Sequence, residues 1–246
     1  MITKLKYAAA EFIKKNPRTW HWVWDTLPRV TPLLPHDKSY YGFRHLVNGK
    51  KGLFLDVGAN NGITAAGFRR LCPNYNILSI EANTHHRRAL DRLKRKIRDF
   101  EYRIVGAGSV TRELRLYTPI YKGVPIHTHT SSSMSYLETS LSRDFSDHVV
   151  KQIVYDEQVV SVIPLDTLAV TPDIVKIDVE GAEVEVLNGA VDALTRFRPV
   201  VFLEAHSATL ERACSQVLMQ AGYNVRRLGR GLIADEQARH LVCTPA

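Results

Sequence analysis

At 246 residues, 45% hydrophobic and 24% charged, the chain has room for one large domain with an appendage and is too apolar for wholesale disorder. Cys72, Cys214 and Cys243 show neither paired nor metal-ligand spacing, which argues against a disulfide framework and fits a reducing, cytoplasmic setting. No apolar run approaches the ~20 residues that span a bilayer. The formal charge of +8 is uneven: residues 1–52 hold ten Lys or Arg against three acids, and residues 84–98 hold seven against Asp91 alone.

The chain opens on residues 1–16, which read as a short helix with Leu5, Tyr7, Ala8, Phe12 and Ile13 among lysines. Glu11 interrupts this segment, so it does not read as a signal peptide. Trp20, Trp22 and Trp24 follow, and then Pro28, Pro32 and Pro35 break any helix. Such an aromatic and basic arm is expected to pack over the main domain; peripheral membrane contact through residues 1–30 is its other use. Residues 40–51 lead into the core. The core then alternates: strand 53–57, helix 63–71, strand 76–80, a long basic helix from an N-cap at Thr84 to Arg98, and strand 102–105. This order predicts an α/β, doubly wound, parallel sheet with right-handed crossovers.

Residues 109–163 interrupt the alternation. Segments 113–117 and 158–163 read as strands, with a polar loop at 128–135 between them, and a loop of this kind suggests a substrate-side lid. The rhythm resumes with strand 173–177, a helix from Glu183 interrupted at Gly189, strand 199–203 and helix 208–220. Segments 224–228 and 240–243 supply the last, hairpin-like strands. The basic helix 84–98 reads as a solvated face before it reads as a nucleic-acid surface.

Four strand ends carry polar groups: Asp56 with the turn Gly58-Ala59-Asn60-Asn61-Gly62, then Glu81, then Asp178 with Glu180, then Glu204 with His206. In a doubly wound sheet these ends converge on one edge. The glycine spacing is neither G-x-G-x-x-G nor a P-loop, so neither a dinucleotide nor a nucleoside triphosphate fits. Glu81, 25 residues after Asp56, is placed to accept hydrogen bonds from two ribose hydroxyls. A nucleoside bearing an amino acid, S-adenosylmethionine, suits such a site, with Asp56 near its amino group.

Four blocks, Phe54-Leu55-Asp56-Val57-Gly58-Ala59-Asn60-x-Gly62, Ile80-Glu81-Ala82-Asn83, Val175-Lys176-Ile177-Asp178-Val179-Glu180-Gly181 running on to Gly189-Ala190, and Glu204-x-His206, resemble the FkbM family of methyltransferases over about residues 53–206. The resemblance implies a Rossmann-like class I fold, a mostly parallel sheet with an antiparallel C-terminal strand, occupying residues 51–246 behind an arm of 1–50. It also implies S-adenosylmethionine as donor and a hydroxyl acceptor, commonly on a sugar or glycan. The expected donor contacts are Asp56, Gly58, Asn60, Asn61, Gly62, Thr64, Glu81, Ala82, Asn83, Asp178, and the backbone of Gly106 and Ala107 where relatives place a polar residue.

Methyl transfer to a poorly acidic hydroxyl calls for alignment and a positioned base. His206 is the first candidate, with Glu204 orienting it or receiving its proton, and Asp178 or Glu180 as the alternative base. Glu180, Ser132 and Ser133 are expected on the acceptor. Asp178, Glu180, Glu204 and His206 could also hold Mg²⁺, but no spacing motif supports this and no metal is expected. Methylation of RNA or of a polyketide-like molecule, and a docking subunit that has lost catalysis, are the competing readings.

Overall fold

A computed structural model describes residues 51–228 and 239–246, together with Thr19, Trp22 and Phe43. The helix expected over 1–16, Trp20, Trp24 and the remainder of the lead-in to residue 50 lie outside the described residues. The chain divides into two compact units: Pro28–Glu113 with Ser161–Ala246, and Leu114–Val160 with Met1–Leu27. Among the described residues no helix is long and apolar enough to cross a membrane.

The larger unit alternates as its apolar runs predict. β1 (Gly52–Val57), α1 (Ile63–Leu71), β2 (Tyr75–Glu81), α2 (Arg87–Lys94), β3 (Phe100–Ile104) and the short β4 (Gly106–Ala107) come first. After the smaller unit follow β8 (Ile174–Ile177), α5 (Glu183–Asn188), β9 (Val200–Ala205), α6 (Ala208–Gln220), β10 (Tyr223–Arg227) and β11 (Arg239–Pro245). Seven strands form one sheet in the order β10-β11-β9-β8-β1-β2-β3. β1 pairs in parallel with both β2 and β8, and β11 runs antiparallel to both β9 and β10. This is the expected mostly parallel sheet with an antiparallel C-terminal strand, and its order reverses between β1 and β8, where open α/β sheets bind ligands.

Successive strand residues face opposite sides, and each side buries its own core. Leu55, Leu78, Val175 and Val201 join Val186, Leu187 and Leu218 of the helices α5 and α6. Phe54, Ile77, Ile174 and Phe202 pack on the other side with Phe68 of α1 and Leu90 and Leu93 of α2. Phe43, only 1% exposed, joins that second core, with its ring 4.2 Å from Phe202 and 5.6 Å from Phe54. Burying a phenylalanine of this kind is worth about 1.5–3 kcal/mol.

The long helix expected over 84–98 is shorter than its charge pattern suggested. A 3-10 turn at Thr84–His86 precedes α2, and Asn83, not Thr84, is the cap, its side chain accepting from the His85 amide. Leu90 and Leu93 are the buried residues of α2, so its apolar stripe covers a single turn. By Asp99 the chain is in the left-handed region, turning into β3.

The smaller unit contains β5 (Arg112–Tyr121, from Leu114), β6 (Val124–Pro125), α3 (Met134–Asp144), α4 (Asp147–Val150) and β7 (Ile153–Ile163, to Val160). Its core is Ile126, Leu137, Leu141 and Phe145. The run read as a polar loop at 128–135 is instead a bridge between Tyr117 and Ser131 followed by the capped start of α3. The spacing of Leu137, Leu141 and Phe145 is the helical signal that its serines hid.

Candidate active site

At the end of β1 the chain turns sharply. Gly58 and Gly62 sit at φ +81 and +83, and a Cβ would be driven into the Asp178 carbonyl oxygen at the first and into the Leu93 side chain at the second. Only glycine satisfies both the left-handed backbone and the close approach. The Gly58 and Ala59 amides donate to the Ile80 carbonyl at 2.9 and 3.1 Å, tying the turn to β2. Asn60, also left-handed, donates its amide to Glu81 Oε2 at 2.7 Å, and the Asn60 side chain accepts the Asn61 amide at 2.8 Å. Glu81 Oε1 takes the Asn83 amide at 2.7 Å. Burial pushes the Glu81 carboxyl up to about 7 against the pull of these two amides. Thr64 lies buried in the first turn of α1, and Ala82 is half-buried between Glu81 and the buried Asn83.

One residue row deeper, the sheet carries Ser79, Asp56 and Lys176 side by side in register, on the same face as the Phe54 row. Asp56 is wholly buried: Ser79 Oγ donates to its Oδ2 at 3.2 Å, and Lys176 Nζ lies 3.9 Å from its Oδ1. Burial raises the Asp56 carboxyl to about 6 although Lys176 opposes the rise. Oδ1 has no hydrogen-bond partner among the described residues. Lys176 donates along its own strand to Asp178 Oδ2 at 2.9 Å. Lys176 and Asp178 are two apart, so the pleat places both on this face.

Beyond that row lies a cluster of charge. His206 Nδ1 is 2.6 Å from Glu183 Oε1, while Nε2 lies 3.2 Å from Glu180 Oε2 and 3.6 Å from Asp178 Oδ1. Glu183 is wholly buried at the start of α5 and also accepts the Gly181 amide at 3.0 Å. Ligand atoms of Asp178, Glu204 and His206 all lie within 4.8 Å of one another. Glu204 Oε2 sits 3.8 Å from His240 Nδ1 on β11.

Burial favours neutral His206, but the Glu183 bond and the Glu180 and Asp178 carboxylates outweigh it and raise His206 to about 10. At neutral pH the ring is therefore an imidazolium that donates from both nitrogens. Burial alone would raise Asp178; Lys176 and His206 overcome it and hold the carboxyl below its usual range. Glu204, desolvated and beside Asp178, is pushed up to about 8.

Two expectations change. The residue that orients His206 is Glu183 and not Glu204, because the start of α5 carries its carboxylate under the ring. And the carboxylates around His206 favour its charged ring, which suits a donor rather than a base. Lys176, Glu183, Ser79 and His240 went unremarked as site residues. The pleat pairs Lys176 with Asp178 and was a usable signal; nothing in the sequence marks Glu183 as buried. Gly106 and Ala107 form β4, paired in parallel with Val162 and Ile163. In the smaller unit Ser132 is exposed, and Ser133 caps α3 by accepting the Tyr136 amide at 3.3 Å.

The profile of the Methyltransferase FkbM domain matches residues 56–226. The FkbM methyltransferase of Methylobacillus flagellatus KT superposes over 78% of this chain and 43% of its own, at 17% identity and a TM-score of 0.57. This chain therefore spans less than half the length of that protein. A Klebsiella pneumoniae protein provisionally described as an O-methyltransferase superposes over 90% of this chain and 87% of its own, at 12% identity and a TM-score of 0.50. At these identities the likeness is one of fold, the class I methyltransferase fold. No curated protein matches.

Proposed function

Since this chain belongs to the FkbM family of methyltransferases, we infer that it transfers a methyl group from S-adenosylmethionine to a hydroxyl oxygen of a sugar or glycan. The observation that supports this reading is the meeting, at one sheet edge, of a glycine turn locked to Glu81 with a proton-handling cluster around Asp178, Glu204 and His206.

The residues on the β1–β2 side suit the donor. Each Glu81 oxygen spends one lone pair on a peptide amide and keeps another, so the carboxylate can still accept from a ribose diol. Gly58 and Gly62 present bare backbone beside it. Asp56 Oδ1 is the acceptor that the fold leaves for an ammonium group. The backbone at Gly106 and Ala107 follows β3 and is the natural neighbour for an adenine. When bound, the donor supplies an electrophilic methyl carbon on a positively charged sulfur.

The residues on the β8–β9 side suit the acceptor. Asp178 is ionised and held in place by Lys176. His206, fixed by Glu183, points a charged N–H toward Asp178 and Glu180. Glu204 is raised to about 8, so the fraction that is ionised near neutral pH is a strong acceptor for the hydroxyl proton. In the metal-free protein Glu204 is therefore the base, and His206 the group that binds and orients the acceptor oxygen.

S-adenosylhomocysteine should raise the melting temperature of the full chain, by the equivalent of about 2.7 kcal/mol at a hundredfold excess over its dissociation constant. No stabilisation at millimolar concentration would sink the donor half. Labelled methyl groups from S-adenosylmethionine should then appear in a carbohydrate panel; incorporation into RNA alone would overturn the acceptor half.

A further inference from the structure

No spacing motif marks Asp178, Glu180, Glu204 and His206 as metal ligands, but the arrangement of their side chains points to a metal. Asp178, Glu204 and His206 offer ligand atoms all within 4.8 Å of one another. His206 Nε2 stands 3.6 Å from Asp178 Oδ1 and 3.2 Å from Glu180 Oε2. Adjacent donors around a cation with bonds of about 2.1 Å lie roughly 3.0–3.5 Å apart, so these groups are spaced to share one ion with small adjustments. Lys176 engages Asp178 Oδ2 and leaves Oδ1 on the His206 side. The second nitrogen of the ring is bonded to a carboxylate, Glu183, which is how proteins fix the orientation of a metal-ligating histidine.

An independent observation points the same way. The carboxylate of Glu183 is wholly buried, yet its Oε2 has no hydrogen-bond partner among the described residues. A buried acceptor left open in this way, at a cluster of four carboxyl groups, is charge that a bound cation would offset.

We propose that Asp178, Glu204 and His206, with Glu180 at the rim, bind one divalent transition-metal cation, of the Mn²⁺ or Zn²⁺ class, which takes the place of the proton on His206 Nε2 and releases it to solvent. The imidazole donor favours these over Mg²⁺ or Ca²⁺. Glu183 is a positioning residue that acts through His206. With the site filled, Glu204 becomes a ligand and the cation takes over the acidifying of a bound hydroxyl. That last role rests on the methyl-transfer reading; binding itself does not.

The test uses the full chain, stripped with a chelator, dialysed and titrated with Mn²⁺ while free Mn²⁺ is followed by electron paramagnetic resonance, with Zn²⁺ as competitor. One Mn²⁺ per chain is expected, with affinity falling at least about tenfold in Glu204→Gln and Asp178→Asn, and about tenfold in Glu183→Gln. Circular dichroism certifies the fold of each variant, and the wild-type titration needs no variant. Absence of saturable binding up to millimolar Mn²⁺, or equal affinity in a folded Asp178→Asn/Glu204→Gln double variant, overturns the site. Stabilisation by S-adenosylhomocysteine, measured on the same stripped protein, reports the donor reading separately, so either can fail without the other.

Discussion

On the β1–β2 side of the sheet edge, position is set by the main chain. Two glycines in the left-handed region, amides donated to Ile80 and amides donated to Glu81 fix the turn with little help from long side chains. On the β8–β9 side, position is set by charge. Asp178, Glu180, Glu183, Lys176 and His206 hold one another through ion pairs and hydrogen bonds, with Glu204 beside them. The first construction is rigid and does not tolerate changes of shape. The second tolerates small changes of shape but answers to every proton and ion. A binding surface for an invariant donor is served by the first, and a site that must move a proton by the second.

Breaking the backbone side should have the largest effect. Gly58→Ala puts a methyl group against the Asp178 carbonyl in a conformation alanine avoids. The expected loss is about 4 kcal/mol or outright failure to fold, read as a fall of roughly 10 °C in melting temperature. Next comes the charge side. Glu204→Gln should lower methyl transfer in the metal-free protein about 10²–10³-fold, while calorimetry finds affinity for S-adenosylhomocysteine unchanged.

Glu81 sharpens the contrast because it is a titrating group on the rigid side. Its folded-state carboxyl is raised from 4.5 to about 7, so the folded chain keeps a proton that the unfolded chain has released. The stability from this proton is complete below pH 4.5 and is lost as pH rises through about 7. Metal-free protein should therefore melt higher at pH 5 than at pH 8, Glu81 accounting for at most about 3 kcal/mol. Glu81→Gln should flatten that slope and weaken S-adenosylhomocysteine binding about 30-fold, near 2 kcal/mol. The smallest effect belongs to the other unit: Ser133→Ala removes the α3 cap, and a melt should register about 1 kcal/mol.

What the sequence made legible follows the same division. The turn, Glu81, and the strands and helices around them were readable because glycine spacing and apolar runs are local signals; α1 falls on the expected residues 63–71. The charge cluster was only half readable. Asp178, Glu204 and His206 stand at strand ends, where topology gathers them. Glu183 looks in sequence like any acid in the first turn of a helix, and its burial under His206 follows from the packing of α5, a tertiary fact. The proton on His206 is likewise a property of its neighbours, not of its position in the chain. In the smaller unit, serines masked the apolar stripe of α3, and in α2 the arginines suggested a helix longer than its two buried leucines support.

The placement of β11 has a consequence for how the protein is made. β10 precedes β11 in the chain, yet its pairing partner in the sheet is β11, which lies between it and β9. While the chain emerges from a ribosome, β9 presents a bare edge and β10 has nothing to pair with until residues 239–245 follow. The sheet can grow outward from β1 to β9 during synthesis, but its last two strands must be added together, as a hairpin docking on a waiting edge. An exposed strand edge is where chains pair with the wrong partner, so the interval between the synthesis of β9 and of β11 leaves this edge open to aggregation.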